Sequence, residues 1–340
     1  MLHLNASTLD RHGSRRRQQH HLTILITSAG RRAGLIEAFR RGGAELGIDL
    51  EVLACDKQPL LSAACHLADG AYPVPEATAP GYVDALLAIV RDRKVALVVP
   101  TIDPELLPLS RARERFEQAG ARVAISAPDV VGMARDKLAT AQFLDRCGVA
   151  NPRTATLDEV RENPGDWMWP AIVKPRHGSA SRAILIARGP DELPRDEAEP
   201  MIVQKLLTGD EWTVNMYFDD AGRLRAVVPH RRISVRAGEV EKGVTRRAPR
   251  LIEAAEAMAA QLPDASGVLC YQAMINPDAT ASVFEINARF GGGFPLADHA
   301  GAHFARWLLE SRLGLPSTAG NDWAEGVMML RYDAAVFVQS

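Results

Sequence analysis

Between residues 22 and 125, short apolar runs take turns with helix-patterned stretches, and this alternation constrains the fold more than any other feature of the chain. "LTILITSAG" reads as a strand running into a glycine turn, "LIEAFRRGGAEL" as the helix after it, and "LEVLACD" as a second strand. "YVDALLAIVRDR" is a helix, "VALVVPT" another strand, and "ARVAIS" closes the series. Strands joined through helices of this length cross over rather than turn back. The sheet is therefore expected to be parallel, with helices on both faces.

The stretch "SAPDVVGMARDKLATAQFLDRCGV" follows as a helical segment, and from about residue 151 the pattern changes. "PAIVKP", "RAILIA", "PMIVQKLL", "EWTVNMYFD" and "RLRAVVPHRRISVR" are short strands joined by turns. A helix at "LIEAAEAMAAQL" precedes the strands "VLCYQAMIN" and "ASVFEINAR"; a helix at "FARWLLESRLG" and a strand near "GVMMLRY" complete the pattern. The expected class is α/β. A Rossmann-like parallel-sheet domain spans 22–125, a linker helix and small strand-rich unit 126–205, and a larger α+β unit 206–340.

At 340 residues there is room for two or three cores, and a net charge of −2 argues against a general nucleic-acid binder. Residues 1–21 gather Arg11, Arg15, Arg16 and Arg17 against Asp10, have no hydrophobic period, and are expected to be a disordered basic tail. That segment has no apolar core of a secretory signal, and apolar runs such as "VALVV" are too short to span a membrane. The cysteines at 55, 65, 147 and 270 form no C-x-x-C pair and read as reduced thiols, so a cytoplasmic protein is expected.

The first turn, "ITSAGRRAG", with Asp56 at the end of the second strand, invites a dinucleotide reading. Its glycines, Gly30 and Gly34, lack the G-x-G-x-x-G spacing that close pyrophosphate approach requires. It is taken as a substrate or structural turn.

The stretch "VFEINARFGGG" poses a sharper question. Strand alternation puts Phe284, Ile286, Ala288 and Phe290 on one face and Glu285, Asn287 and Arg289 on the other, roughly 7 Å apart in succession. A solvated strand face explains such a row; so does a site, since Glu and Asn oxygens suit a hard cation and Arg suits phosphate. Upstream, "IVKPRHGSASRAI" places Lys174 at a strand end before small residues Gly178, Ser179, Ala180 and Ser181, whose backbone N–H groups can approach an anion. "IVQKLLTGDEW" then offers a strand end that can border a base and Glu211 for ribose hydroxyls.

Taken in order, "DK" at 136–137, "VKPRHGSAS", "QKLLTGDE" and "FEINARFGGG" resemble the ATP-grasp superfamily. The likeness is greatest to the synthetase units of the carbamoyl-phosphate synthetase large subunit and to related stand-alone carboxylate–amine ligases, and it runs from about residue 22 to 335. It implies a pre-ATP-grasp domain followed by a two-subdomain ATP-grasp fold. It also implies that Lys137 and Lys174 contact ATP phosphates while loop 178–182, with Gly178, Ser179 and Ser181, closes over them. Gln204 and Leu206 would border the adenine and Glu211 hold the ribose. Gln272, Glu285 and Asn287 would bind two Mg²⁺ (or Mn²⁺) ions, and Arg289, with Lys174, would act on the transferred phosphoryl group.

Three positions depart from the family pattern: Gln272 where many relatives have an acid, Ala183 where a lid glycine is common, and Lys205 where an acid is frequent. On the acceptor side, Arg232 or Arg236 in "HRRISVRAGEVEKGVTRR" is expected to pair a substrate carboxylate, and Asp103 and Glu105 in "TIDPEL" to orient an amine. The latter stretch reads equally well as a helix-start turn. The implied activity is amide formation through an acyl phosphate, from small-molecule acid and amine, with a second copy of the chain as a possible partner. A phosphorylating subunit working with a partner protein and a non-catalytic ATP sensor are the alternatives. A role in RNA binding through the arginine tail is the least favoured.

Overall fold

A computed structural model of the chain describes residues 20–178 and 184–339. Its first sheet contains β1 (His21–Ile26), β2 (Asp49–Asp56), β3 (Gly70–Pro73), β4 (Leu97–Val99) and β5 (Arg122–Val123), all parallel, in the order β3-β2-β1-β4-β5. The chain steps outward from β1 to β3 and then returns to the other side of β1. The strand order therefore reverses between β1 and β4, and the crevice beyond their carboxyl ends is where such sheets receive ligands.

The small sheet contains β6 (Thr154–Thr156), β7 (Ala171–Pro175), β8 (Leu185–Ala187) and β9 (Met201–Lys205) in the order β6-β9-β7-β8. The large one contains β10 (Asp210–Phe218), β11 (Leu224–Arg236), β12 (Glu239–Thr245), β13 (Gly267–Ile275), β14 (Ala281–Asn287) and β15 (Met328–Leu330). Their order is β14-β13-β10-β11-β12-β15, and every pair in both sheets is antiparallel.

The buried side chains form two shared cores and one private one. Leu25 and Val98 of the first sheet belong to one cluster with Val214, Leu269 and Ile286 of the large sheet. Ile24 and Phe39 belong to another with Tyr217, Val228 and Trp307. The small sheet buries Val160, Trp167, Val173 and Val203 among themselves. An aromatic column through Phe39, Phe290, Phe294, Phe304 and Tyr217, each ring 4.6–6.5 Å from the next, ties the first long helix (Ala33–Leu46) to β10.

Two local expectations change. The helical stretch after residue 126 is two helices, Pro128–Arg135 and Lys137–Arg146. Asp136 between them is extended, and its carboxylate caps the second helix by accepting from the Leu138 and Ala139 backbone N–H groups. In β14 the alternation slips. Gln272 pairs with Glu285 but Ala273 pairs with Val283, so a bulge at Phe284 lets Val283 rather than Phe284 join the core. Phe284 instead lies under the Lys174 ammonium, 5.6 Å from its ring centre.

Candidate active site

Beyond the bulge, the polar row on β14 holds as a chain of hydrogen bonds. Asn287 Nδ2 donates to Glu285 Oε1 at 3.2 Å, and Arg289 Nη2 donates to Asn287 Oδ1 at 3.1 Å. Arg289 continues across to the first sheet, where its Nε and Nη2 grip both oxygens of Asp103 at 2.9 and 2.7 Å. Burial alone would depress the guanidinium's proton affinity; Asp103 reverses that and holds it raised. Phe290, anchored in the aromatic column, fixes the backbone on the next residue.

A cavity of about 50 Å³ opens beside this row, lined by Asp103, Pro104, Arg135, Lys137, Gly178, Glu285 and Asn287. Lys137, the first residue of its helix, donates to the Gly178 carbonyl at 2.7 Å. Burial lowers its pKa, against the charges of Glu285, Asp103 and Asp136. Lys174 on β7 is almost wholly buried, and its Nζ donates to Gln204 Oε1 at 2.8 Å. Burial brings Lys174 down to about 8, with Glu285 opposing and Lys137 adding to the shift. Two desolvated ammonium groups and a guanidinium converge on one carboxylate, an arrangement that favours arriving anionic oxygens.

The nucleotide end is organised differently from expectation. Arg232, one of the two arginines expected to pair an acceptor carboxylate, is only 4% exposed. Its Nη1 donates to Glu211 Oε1 at 2.5 Å and to Gln272 Oε1 at 3.1 Å, so it braces two candidate ligand groups from below. Desolvation raises Glu211, with Arg232 resisting and Glu285 adding. Gln204 spans the small sheet, also donating to Thr154 Oγ1 at 2.8 Å, while Leu206 follows directly on β9. Arg236 lies half-exposed at the rim, paired with Asp333 and Glu241 rather than with the site. Ser179 and Ser181 lie outside the described residues, as do Ala180, Ala183 and the tail up to residue 19.

Asp103 and Glu105 part company. Both stand in the first turn of the helix Asp103–Arg111, as a helix start has it, and Asp103 is the one that turns to Arg289. Glu105 is fully buried and accepts from Thr101 N at 2.7 Å, Ile102 N at 3.0 Å, Ser28 Oγ at 2.9 Å and the Tyr82 hydroxyl. It ties the turns after β1 and β4 together and has no face toward an amine. Asp56 likewise serves the turn, accepting from Gly30 N at 3.0 Å.

The three glycines each have a separate reason. A Cβ on Gly291 would sit 3.0 Å from Cys270 Sγ, on Gly292 2.8 Å from Glu239 Cδ, and on Gly293 2.4 Å from His230 Nε2. The chain passes flat over β13, β12 and β11 immediately after delivering Arg289. His230, wholly buried, is held neutral, with its pKa pressed to about 3 by burial and by Arg232 and Arg331.

The oxygen donors Glu285, Asn287 and Gln272 suit a hard cation such as Mg²⁺. They include one carboxylate, and among the described residues no group of three His, Cys, Asp or Glu side chains could hold a metal. Such a set fits an ion that arrives already bound to phosphates.

Residues 134–293 match the ATP-grasp domain family, and residues 24–124 match the family described as PylC-like, N-terminal domain. Residues 134–293 therefore form an ATP-grasp domain. Over 89 residues, 25% of this chain, it is 33% identical to the carbamoyl phosphate synthase large chain of Rubrobacter xylanophilus, of whose length that stretch is 8%.

Among solved structures, the biotin carboxylase domain of Hydrogenobacter thermophilus 2-oxoglutarate carboxylase, with MgADP and bicarbonate, superposes with a TM-score of 0.71. That match covers 89% of this chain and 72% of the other at 15% identity. N5-carboxyaminoimidazole ribonucleotide synthetase of Thermotoga maritima gives 0.64, at 14% identity over 89% and 78% of the two chains. L-amino acid ligase of Bacillus licheniformis gives 0.65, at 16% identity over 86% and 75%. At these identities the likeness is one of fold. No helix among the described residues of this ATP-grasp protein is long and apolar enough to cross a membrane.

Proposed function

We propose that the chain is an ADP-forming carboxylate–amine ligase. A carboxylate oxygen attacks the γ-phosphorus of ATP, ADP leaves, an amine attacks the resulting acyl phosphate, and phosphate departs as the amide forms. The observation that carries this reading is one small cavity lined by Lys137, Glu285 and Asn287, with Arg289 bonded to Asn287 and Lys174 close enough to Glu285 to feel its charge. Phosphoryl transfer asks for positioning and charge neutralisation rather than a protein nucleophile, and this constellation supplies both.

In this reading Lys137 and Lys174 neutralise the phosphates as point charges, and Gly178, Ser179 and Ser181 offer them backbone N–H groups. Gln204 and Leu206 border the adenine, and Glu211, braced by Arg232, receives the ribose. Glu285, Asn287 and Gln272 would hold two Mg²⁺ or Mn²⁺ ions, which would supply positive charge against the phosphate oxygens. Arg289 lies against the transferring phosphoryl group, and Asp103 fixes its plane. The names of the structural relatives, a carboxylase domain with MgADP and bicarbonate bound in one and an L-amino acid ligase in another, support this reaction class.

The test is ADP release from MgATP with pooled small carboxylates and amino acids, with hydroxylamine present to trap an acyl phosphate as a hydroxamate. ADP and hydroxamate together, both lost in Glu285→Gln, are expected. ATP binding without either product across the pool favours a sensor or a phosphorylating subunit that needs a partner protein. Absence of ATP binding removes the ligase reading.

A further inference from the structure

The crevice where the first sheet reverses its strand order holds a second cluster of charge that the phosphate chemistry does not use. Arg32, in the turn after β1, lies with Nη1 3.3 Å from Glu239 Oε1 at the start of β12. Glu239 Oε2 accepts from Arg331 Nη1 at 3.0 Å, just past β15, and Arg331 Nη2 donates to the Gly292 carbonyl. The three side chains remain 21%, 32% and 29% exposed, so the cluster faces a cleft rather than a core.

Two guanidinium groups share one carboxylate. Burial lowers the pKa of Arg32, Glu239 opposes the shift, and the charges of Arg289 and Arg331 add to it. Arg289 has its own counter-ion in Asp103, so the cluster keeps one positive charge unmatched. Among the described residues Arg32 makes the Glu239 ion pair and no side-chain hydrogen bond, which leaves its fork open to an oxyanion. Gly292, on which Arg331 rests, is three residues beyond Arg289, and Arg32 lies near enough to Arg289 to feel its charge.

We infer that Arg32 and Arg331, oriented by Glu239, bind an oxyanion of the acid substrate that is not activated, a second carboxylate on the same molecule as the one at Arg289. The role assigned to that anion rests on the ligase reading; the existence of the subsite does not. A short diacid or acidic amino acid carries such a pair, with its reacting carboxylate at Arg289 and its other one at Arg32.

The subsite is tested without turnover by sulfate binding to the full-length MgADP-loaded protein, followed by thermal stabilisation at constant ionic strength with chloride as the balance. Sulfate is expected to stabilise the wild type, and Arg32→Met and Arg331→Met to raise its half-saturation at least tenfold. Arg32→Lys keeps the charge without the fork and should fall between, which covers the case in which the Met variants misfold. Arg231→Met, the same charge change on the β11 rim beside Asp210, should leave half-saturation unchanged. No stabilisation beyond chloride, or equal loss in Arg231→Met, overturns the subsite.

A second arm compares hydroxamate formation from succinate, aspartate and glutamate with butyrate and phosphoglycolate. At least tenfold preference for the diacids in kcat/KM, lost in Arg32→Met, supports the carboxylate assignment. Preference for phosphoglycolate keeps the subsite but overturns the carboxylate, and indifference to the second anion overturns its role in substrate choice. Hydroxamate from none of the acids, with sulfate binding intact, removes the ligase reading alone.

Discussion

Replacing Lys174 with Met should make the nucleotide-free protein more stable at pH 7 while removing its hold on ATP. The buried ammonium has a pKa brought from 10.5 to about 8, so burying it in charged form costs about 3 kcal/mol relative to the unfolded chain. Against this stand the hydrogen bond to Gln204, worth about 1 kcal/mol, and the contact over Phe284, worth another 0.5–2 kcal/mol or so. Methionine fills a similar volume and restores part of the ring contact, so the variant should gain roughly 1 kcal/mol.

The gain has a pH signature. Between about pH 8 and 10.5 the unfolded chain holds the Lys174 proton more firmly than the folded one, so wild-type stability rises with pH through that window. The advantage of Lys174→Met should shrink by about 3 kcal/mol across it and change sign. Denaturant unfolding at pH 7 and pH 10.5, with MgADP affinity measured in parallel, reads all three quantities. Affinity should fall on the order of tenfold to a hundredfold, the scale of a lost charged hydrogen bond. A variant less stable than wild type by more than about 1 kcal/mol at pH 7, or a difference that ignores pH, refutes the argument that burial strains this lysine.

Three further outcomes are expected. Gly293→Ala should destabilise strongly or fail to fold, because its Cβ would lie 2.4 Å from His230 Nε2; His230→Ala in the same chain should restore soluble, cooperatively melting protein. Asp103→Asn should lower kcat about tenfold or more with the KM for ATP little changed, since it loosens Arg289 without touching the nucleotide; steady-state kinetics of hydroxamate formation separates the two. Mg²⁺ titrated calorimetrically should bind the nucleotide-free chain at least tenfold more weakly than the ADP-loaded chain, because Glu285 is the single carboxylate among its candidate ligands.

Local pattern carried the outline of this protein and long-range pairing hid the rest. The parallel sheet was legible because strand and helix periods differ, and the row of Glu285, Asn287 and Arg289 because strand side chains alternate. The same rule misplaced Phe284, since a bulge depends on how β13 pairs and leaves no mark in β14 alone. Asp103 and Glu105 are alike in sequence context, yet one reaches 186 residues forward to Arg289 while the other closes its own turn. Arg232 sits on a basic strand that looks solvated, and only its partners Glu211 and Gln272, brought in by β10 and β13, show it to be a brace. Arg32, Glu239 and Arg331 had no common signal, because three separate elements bring them together.

The private core of the small sheet should make that sheet a separate cooperative unit, while the first and large sheets, sharing two cores, should melt as one. Its amide protons should be able to exchange through openings that leave the rest of the molecule folded. A nucleotide held between Lys174 on one unit and Glu285 on the other would rivet them, and its binding energy would appear first as slowed exchange in β6 through β9.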